Sequence, residues 1–254
     1  MDLSEFATRL DERLRVPAFS ELDASANGLQ VAPASGTVDH AAFAVDGVLE
    51  TAERAADVGA DALVVHHGVS WGGIERVTGQ TYRRVAPFVD NDMALYAAHL
   101  PLDAHPDLGN AAGLADLLGV EGREPFGELG PEHVGVRGRI APRSATELAV
   151  ELNDGLHTGG EEVQVLDFGP EEIERVAILT GSGSDWLDEA ADAGVDALIT
   201  GEAKGKLYHE AKEAGVSVFL AGHYATETFG VRALESLAAD WGLATTYIDA
   251  PTGL

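Results

Sequence analysis

Four histidines and two carboxylates in this chain are spaced as metal ligands are. His66 and His67 are adjacent and follow the apolar run DALVV. His99 stands four residues before Asp103, and His223 four before Glu227, each pair following another apolar run. Imidazole suits Zn, Fe, Mn, Ni or Co, and carboxylates can bridge two such ions. The six donors fit two divalent ions per chain. A pair of ions supports hydrolysis or hydration by polarising a substrate oxygen and lowering the pKa of a water. The same donors suit a structural ion or a metal store equally well.

Taken singly, each pair has an ordinary explanation. A His-His dipeptide can cap or fill a core, and His and carboxylate four apart often pair on a solvated helix. Recurrence strengthens the case. The segment TAERAADVGADALVVHHG (51–68) aligns without a gap on WLDEAADAGVDALITGEA (186–203), at an offset of 135 residues, with seven of 18 positions identical. The preceding runs AAFAVD and VAILTG align at that offset too. MALYAAHLPLD and VSVFLAGHYATE match at an offset of 124, a connection 11 residues shorter. The chain therefore reads as an internal duplication in which each half supplies one histidine and one carboxylate from an equivalent position. Glu202 falls where the first half has His67, which makes it an extra ligand, a general base, or a helix-start carboxylate favoured by the dipole.

The elements that must position these residues alternate between strand and helix, so the fold class is α/β with mostly parallel strands. Strands are expected at 41–46, 61–66, 94–98, 175–180, 196–200 and 216–221, with helices at 48–58, 79–92, 184–193 and 204–214. Ligands in such sheets bind at the carboxyl ends of strands, where Gly68 can turn the chain so that both His66 and His67 face one crevice. Pro101 can begin the helical turn that puts His99 and Asp103 near one face. Residues 27–31, NGLQV, suggest a turn into a strand, 145–155 a helix, 162–167 a short strand and 243–250 a closing strand. The Gly/Pro/Glu-rich stretch 122–134 reads as a linker, so the expected division is 1–125 and 126–254. Trp71 lines the crevice or fills a core. Asn110 is expected to cap a helix starting near Ala111, Thr226 and Thr228 to donate near the ligands, His209 to pack or donate, and His40, His105, His133 and His157 to lie on the surface.

Composition narrows the function. The 254 residues include no cysteine, which excludes disulfides and thiolate chemistry. With 43 acidic and 16 basic side chains the formal net charge is -27. Nucleic acid needs a basic patch, so it is not an expected partner. The acid excess matches proteins solvated in concentrated salt. The N-terminal MDLSEFATRLDERL is acidic and amphipathic, unlike a signal peptide, and no long apolar run suits a membrane span. The expected location is cytoplasmic.

The motifs NGLQV, HHG, HLPLD, LGN, TGEAKGKLYHEA and GHYATE occur in this order along almost the whole chain, which thereby resembles the Nif-three-like dinuclear metal-centre family, some of whose members are described as homologs of type-two GTP cyclohydrolase I. The resemblance implies two α/β domains, a dimetal site at their interface and a toroidal homohexamer. It assigns metal binding to His66 and His67, His99 and Asp103, and His223 and Glu227. Two departures stand out: HHG where many relatives have HHP, and TGE where many have TGD. The function expected is a metal-dependent hydrolase of a small substrate, nucleotide or pterin-like, with Glu202 or Glu227 accepting the proton. The alternatives are a non-catalytic metal-binding or trafficking protein and a scaffold.

Overall fold

The computed structural model describes residues 1–34 and 36–254, which form two compact units: Met1–Leu102 with Gly230–Ala250, and Asp103–Phe229 with Pro251–Leu254. The division falls at Leu102 and Asp103 instead of 125 and 126, and the chain's late segment groups with its beginning.

The first unit carries a five-stranded sheet of β1 (Gly28–Val31), β2 (His40–Asp46), β3 (Ala62–His67), β4 (Ala94–Ala97) and a late strand, Ala244–Tyr247. Its order is β1, β4, β3, β2, late strand, with only β1 antiparallel to its neighbour. β2, β3 and β4 are near-continuous runs of Ala, Val and Leu, as strands buried on both faces require. Helices Leu3–Leu14 and Leu49–Asp57 bury an apolar face in this unit, while Gly79–Asp90 buries Phe88. Leu63 is wholly buried in a core with Ala42, Val65, Phe88, Met93 and Leu95. Leu63→Ala is expected to destabilise the protein by about 2–5 kcal/mol, lost transfer energy plus a cavity, read as a lower urea midpoint.

The second unit holds β5 (Glu121–Leu129), β6 (Glu132–Arg143), β7 (Gln164–Leu166), β8 (Ile173–Leu179), β9 (Ala197–Thr200) and β10 (Ser217–Leu220), in the order β5, β6, β8, β9, β10, β7. Counted after these, the late strand of the first unit is β11. This second sheet is mixed: β8, β9 and β10 run parallel, while the β5/β6, β6/β8 and β10/β7 pairs are antiparallel. Two expectations are corrected here. Residues 122–134 are no linker but most of a β-hairpin, whose tip is Gly130 and Pro131 with Gly130 at φ 60. The hairpin also carries charge of both signs across its register, Glu124 opposite Arg137. The closing strand belongs to the first sheet, paired parallel with β2.

The duplicated segments build the same arrangement twice. Strands β4, β3 and β2 adjoin in parallel, as do β10, β9 and β8, and an antiparallel strand lies beside β4 and beside β10, β1 and β7 respectively. Shared residues do the same work. Gly59 and Gly194 both take φ near +70° just past a helix (φ 69 and φ 66), a conformation glycine adopts without strain. Asp61 accepts the amides of Asp39 and His40, and Asp196 those of Glu174 and Arg175, pinning the neighbouring strand in each copy. Among the described residues no helix is long and apolar enough to cross a membrane.

Candidate metal centre

His66 and His67 close β3, and His99 follows β4 by two residues. The three rings cluster, with centroids 4.6 Å apart for His66 and His67, 5.1 Å for His66 and His99, and 5.7 Å for His67 and His99. Each Nδ1 meets an oxygen at 2.9 Å: the Ala98 carbonyl for His66, Asp46 for His67 and Asp23 for His99. Those oxygens only accept, so Nδ1–H donates in each and Nε2 is the nitrogen left to meet an ion. The three offer ligand atoms within 4.8 Å of one another, which fits a divalent ion.

The partners come from local geometry. Asp46 is opposite His67 in the parallel β2/β3 register, so its carboxylate shares the ring's face. Asp23 has only 2% of its side chain exposed. Burial pushes its carboxyl up, but the hydrogen bond and charge of His99, with Asn27 and Ser25, outweigh this and hold it down at about 2. Trp71 sits edge-on to His99 at 5.0 Å, its indole N–H donating to the Gly68 carbonyl; it is 46% exposed and so does not fill a core.

In the second unit, Gly222 at φ 88 ends the loop after β10, and a turn of helix, His223–Thr226, leads to Glu227. His223 lies 3.2 Å from Glu227 through Nε2 and 3.1 Å from Glu202 through Nδ1. Glu227 is almost fully buried, while Glu202 is half-exposed. Gly181 packs so close that a Cβ there would overlap the Glu227 carboxylate. Asp103 ends the helical turn Leu100–Asp103, accepts from Asn110 at 2.8 Å, and offers an oxygen within 4.8 Å of one from Glu227. Asn110 therefore orients a carboxylate instead of capping its helix, which Gly109 precedes as N-cap. Thr226 and Thr228 bond to backbone, the His223 carbonyl included, and not to the candidate ligand side chains. His105 is buried and accepts the amides of Asp107 and Leu108, so it is not a surface residue.

Burial lowers the affinity of His223 for its proton, but Glu227 and then Glu202 overcome this and push the pKa up to about 9. A raised pKa stabilises the metal-free fold most below pH ~6.5 and ceases to do so as pH rises through about 9. An ion must displace that proton. Metal affinity is therefore expected to rise by up to about tenfold per pH unit between 7 and 9, measured by chelator competition.

Sequence spacing offers the six candidate donors but not Asp23 or Asp46. Each meets its histidine through tertiary pairing, 76 and 21 residues away in sequence, and no local spacing announces that.

A mixed α/β chain built on a repeated βαβ core, presenting histidines and carboxylates at its strand ends, is the class that fold and site define. A family model for Duf34/NIF3 (NGG1p interacting factor 3) matches residues 1–252, and the chain belongs to that family. It is 58% identical to the "GTP cyclohydrolase 1 type 2 homolog" of Halobacterium salinarum over the full length of both chains. It is 41% identical to the protein of the same name from Pyrococcus abyssi, also over the full length of both. The crystal structure of TTHA1606 from Thermus thermophilus superposes with a TM-score of 0.90 at 37% identity, covering all of both chains.

Proposed function

We propose that this protein binds two divalent metal ions per chain, through His66, His67, His99, Asp103, His223 and Glu227, and uses them to hydrolyse a small substrate. The observation that carries this reading is the convergence of three imidazoles whose Nδ1 protons are all committed elsewhere. Bound divalent ions supply Lewis acidity toward a substrate oxygen. The chain's own residues supply the rest. Glu227, buried against His223, serves as a ligand, while half-exposed Glu202 is placed to take a proton and exchange it with solvent. Trp71 offers an exposed apolar edge beside His99, compatible with a planar substrate such as a nucleotide or pterin. The names of the Halobacterium and Pyrococcus relatives agree with that class.

Metal analysis of the purified chain, followed by a substrate screen with the native metal restored, tests the proposal. Two ions with turnover that chelation abolishes support it. Reversible metal binding without turnover on any substrate leaves a metal-binding role and removes the hydrolase. The same reading includes a homohexamer. It is supported by Val77, Tyr82 and Val89, exposed apolar residues on and next to helix Gly79–Asp90. Light scattering in high salt showing one or two chains of 26.5 kDa would exclude it.

A further inference from the structure

The segment NGLQV and the residues just before it take no part in the metal set. We propose that residues 23–30 are a positioning clamp, which fixes the histidines of the first unit in ligand geometry before any ion arrives. The inference rests on the metal-binding reading above.

Three residues carry it. Asp23 is buried, and its two oxygens collect four hydrogen bonds: from the Ser25 amide and His99 Nδ1, each at 2.9 Å, from Asn27 Nδ2 at 2.8 Å, and from the Leu100 amide at 3.0 Å. Asn27 turns its own oxygen to the His99 amide at 2.7 Å. His99 is thereby held at ring and backbone together. Gln30 does the corresponding work for the turn after His67. Its oxygen accepts the amides of Val69 at 2.7 Å and Ser70 at 3.2 Å, and its nitrogen donates to the Ala26 carbonyl at 2.8 Å. The segment is stitched to the same turn through Ala26 to Ser70 and Gly72 to Ala24. Gly68 makes this approach possible, because a Cβ there would overlap the Gln30 amide. One short segment thus grips both histidine-bearing turns.

A polar network satisfied around a buried carboxylate is rigid. Donors already fixed lose less freedom when an ion binds. The carboxylate also selects a tautomer, since Asp23 can only accept from His99 Nδ1 and so leaves Nε2 for the metal. A segment that served folding alone would have no need to engage the ring.

The test uses the full chain with Asp23→Ala, Asn27→Ala, Gln30→Ala and Gln30→Glu, the last keeping an oxygen for Val69 and Ser70. Three quantities are read: Zn2+ affinity by chelator competition, the Tm of metal-free protein, and the His99 tautomer in metal-free protein by long-range proton–nitrogen NMR. The unaltered chain is expected to show a single Nδ1–H form of His99, which Asp23→Ala abolishes. Asn27→Ala and Gln30→Ala are expected to weaken Zn2+ binding about 10–100-fold, with Gln30→Glu restoring most of it. If Asp23→Ala does not fold, the Asn27 and Gln30 variants carry the test. A lower Tm with unchanged Zn2+ affinity in both would overturn the clamp and leave a structural role, as would a mixed tautomer in the unaltered chain. If the unaltered chain binds no Zn2+ at all, the metal reading falls, and the tautomer in metal-free protein still decides for or against the clamp.

Discussion

A His99→Ala chain is expected to bind divalent metal more than about 100-fold more weakly than the unaltered chain, because loss of a ligand should exceed the roughly 10–100-fold cost of losing an outer partner. His99 supplies one of the three ligand atoms clustered in the first unit. Its removal also strands Asp23, whose carboxylate is buried and held down at about 2 partly by that ring. Leaving a buried charge without its partner adds a stability loss of at least about 1–3 kcal/mol. Both effects are measurable in one preparation, the first by chelator competition and the second by urea unfolding of metal-free protein. His209→Ala is the control, since His209 is exposed on helix Leu207–Ala214 and lies outside the ligand set. Equal metal affinity in the two variants would remove His99 from the site.

The second large effect expected is on salt. The formal net charge of -27 leaves far more acids than the 16 basic side chains can pair. Repulsion between solvated charges is screened within about 3 Å at 1 M salt, against about 10 Å at 0.1 M, and it opposes the compact state. Relief of about 3 kcal/mol, at about 2–4 °C per kcal/mol for a chain of this size, raises Tm by about 6–12 °C between low salt and molar KCl. The comparison is made on metal-free protein, so that ionic strength acts on the fold and not on metal affinity. A Tm that stays level would refute the reading of the acid excess as an adaptation to salt.

The sequence made the repeated core legible, and the reason is physical. A buried parallel strand must be an apolar run, and the helix before it must end on a residue that accepts positive φ. DALVV and DALIT, with Gly59 and Gly194 ahead of them, are written by those demands. The candidate donors were legible for a related reason, since they sit at fixed places at or past the same strands. What escaped was set by contacts distant in sequence. The glycines and prolines of 122–134 signalled flexibility when read alone. In the fold Gly130 and Pro131 turn a hairpin, and Gly127 is where a Cβ would strike the Leu179 side chain. Asp23 looked like any other carboxylate in an acidic chain, because its significance depends on a histidine that the β1/β4 pairing brings alongside.

The return of β11 to β2 bears on how the protein is made. Synthesis runs from the N-terminus, so β2, β3 and β4 leave the ribosome long before residues 244–247 exist. Until then β2 presents an unpaired edge of Ala and Val, the kind of edge to which other chains add. The second unit can collapse during this interval, but the first must wait for a partner about 200 residues downstream. A nascent chain stalled short of residue 244 would thus be the species most in need of a chaperone, and the release of the last strand the moment at which that need ends.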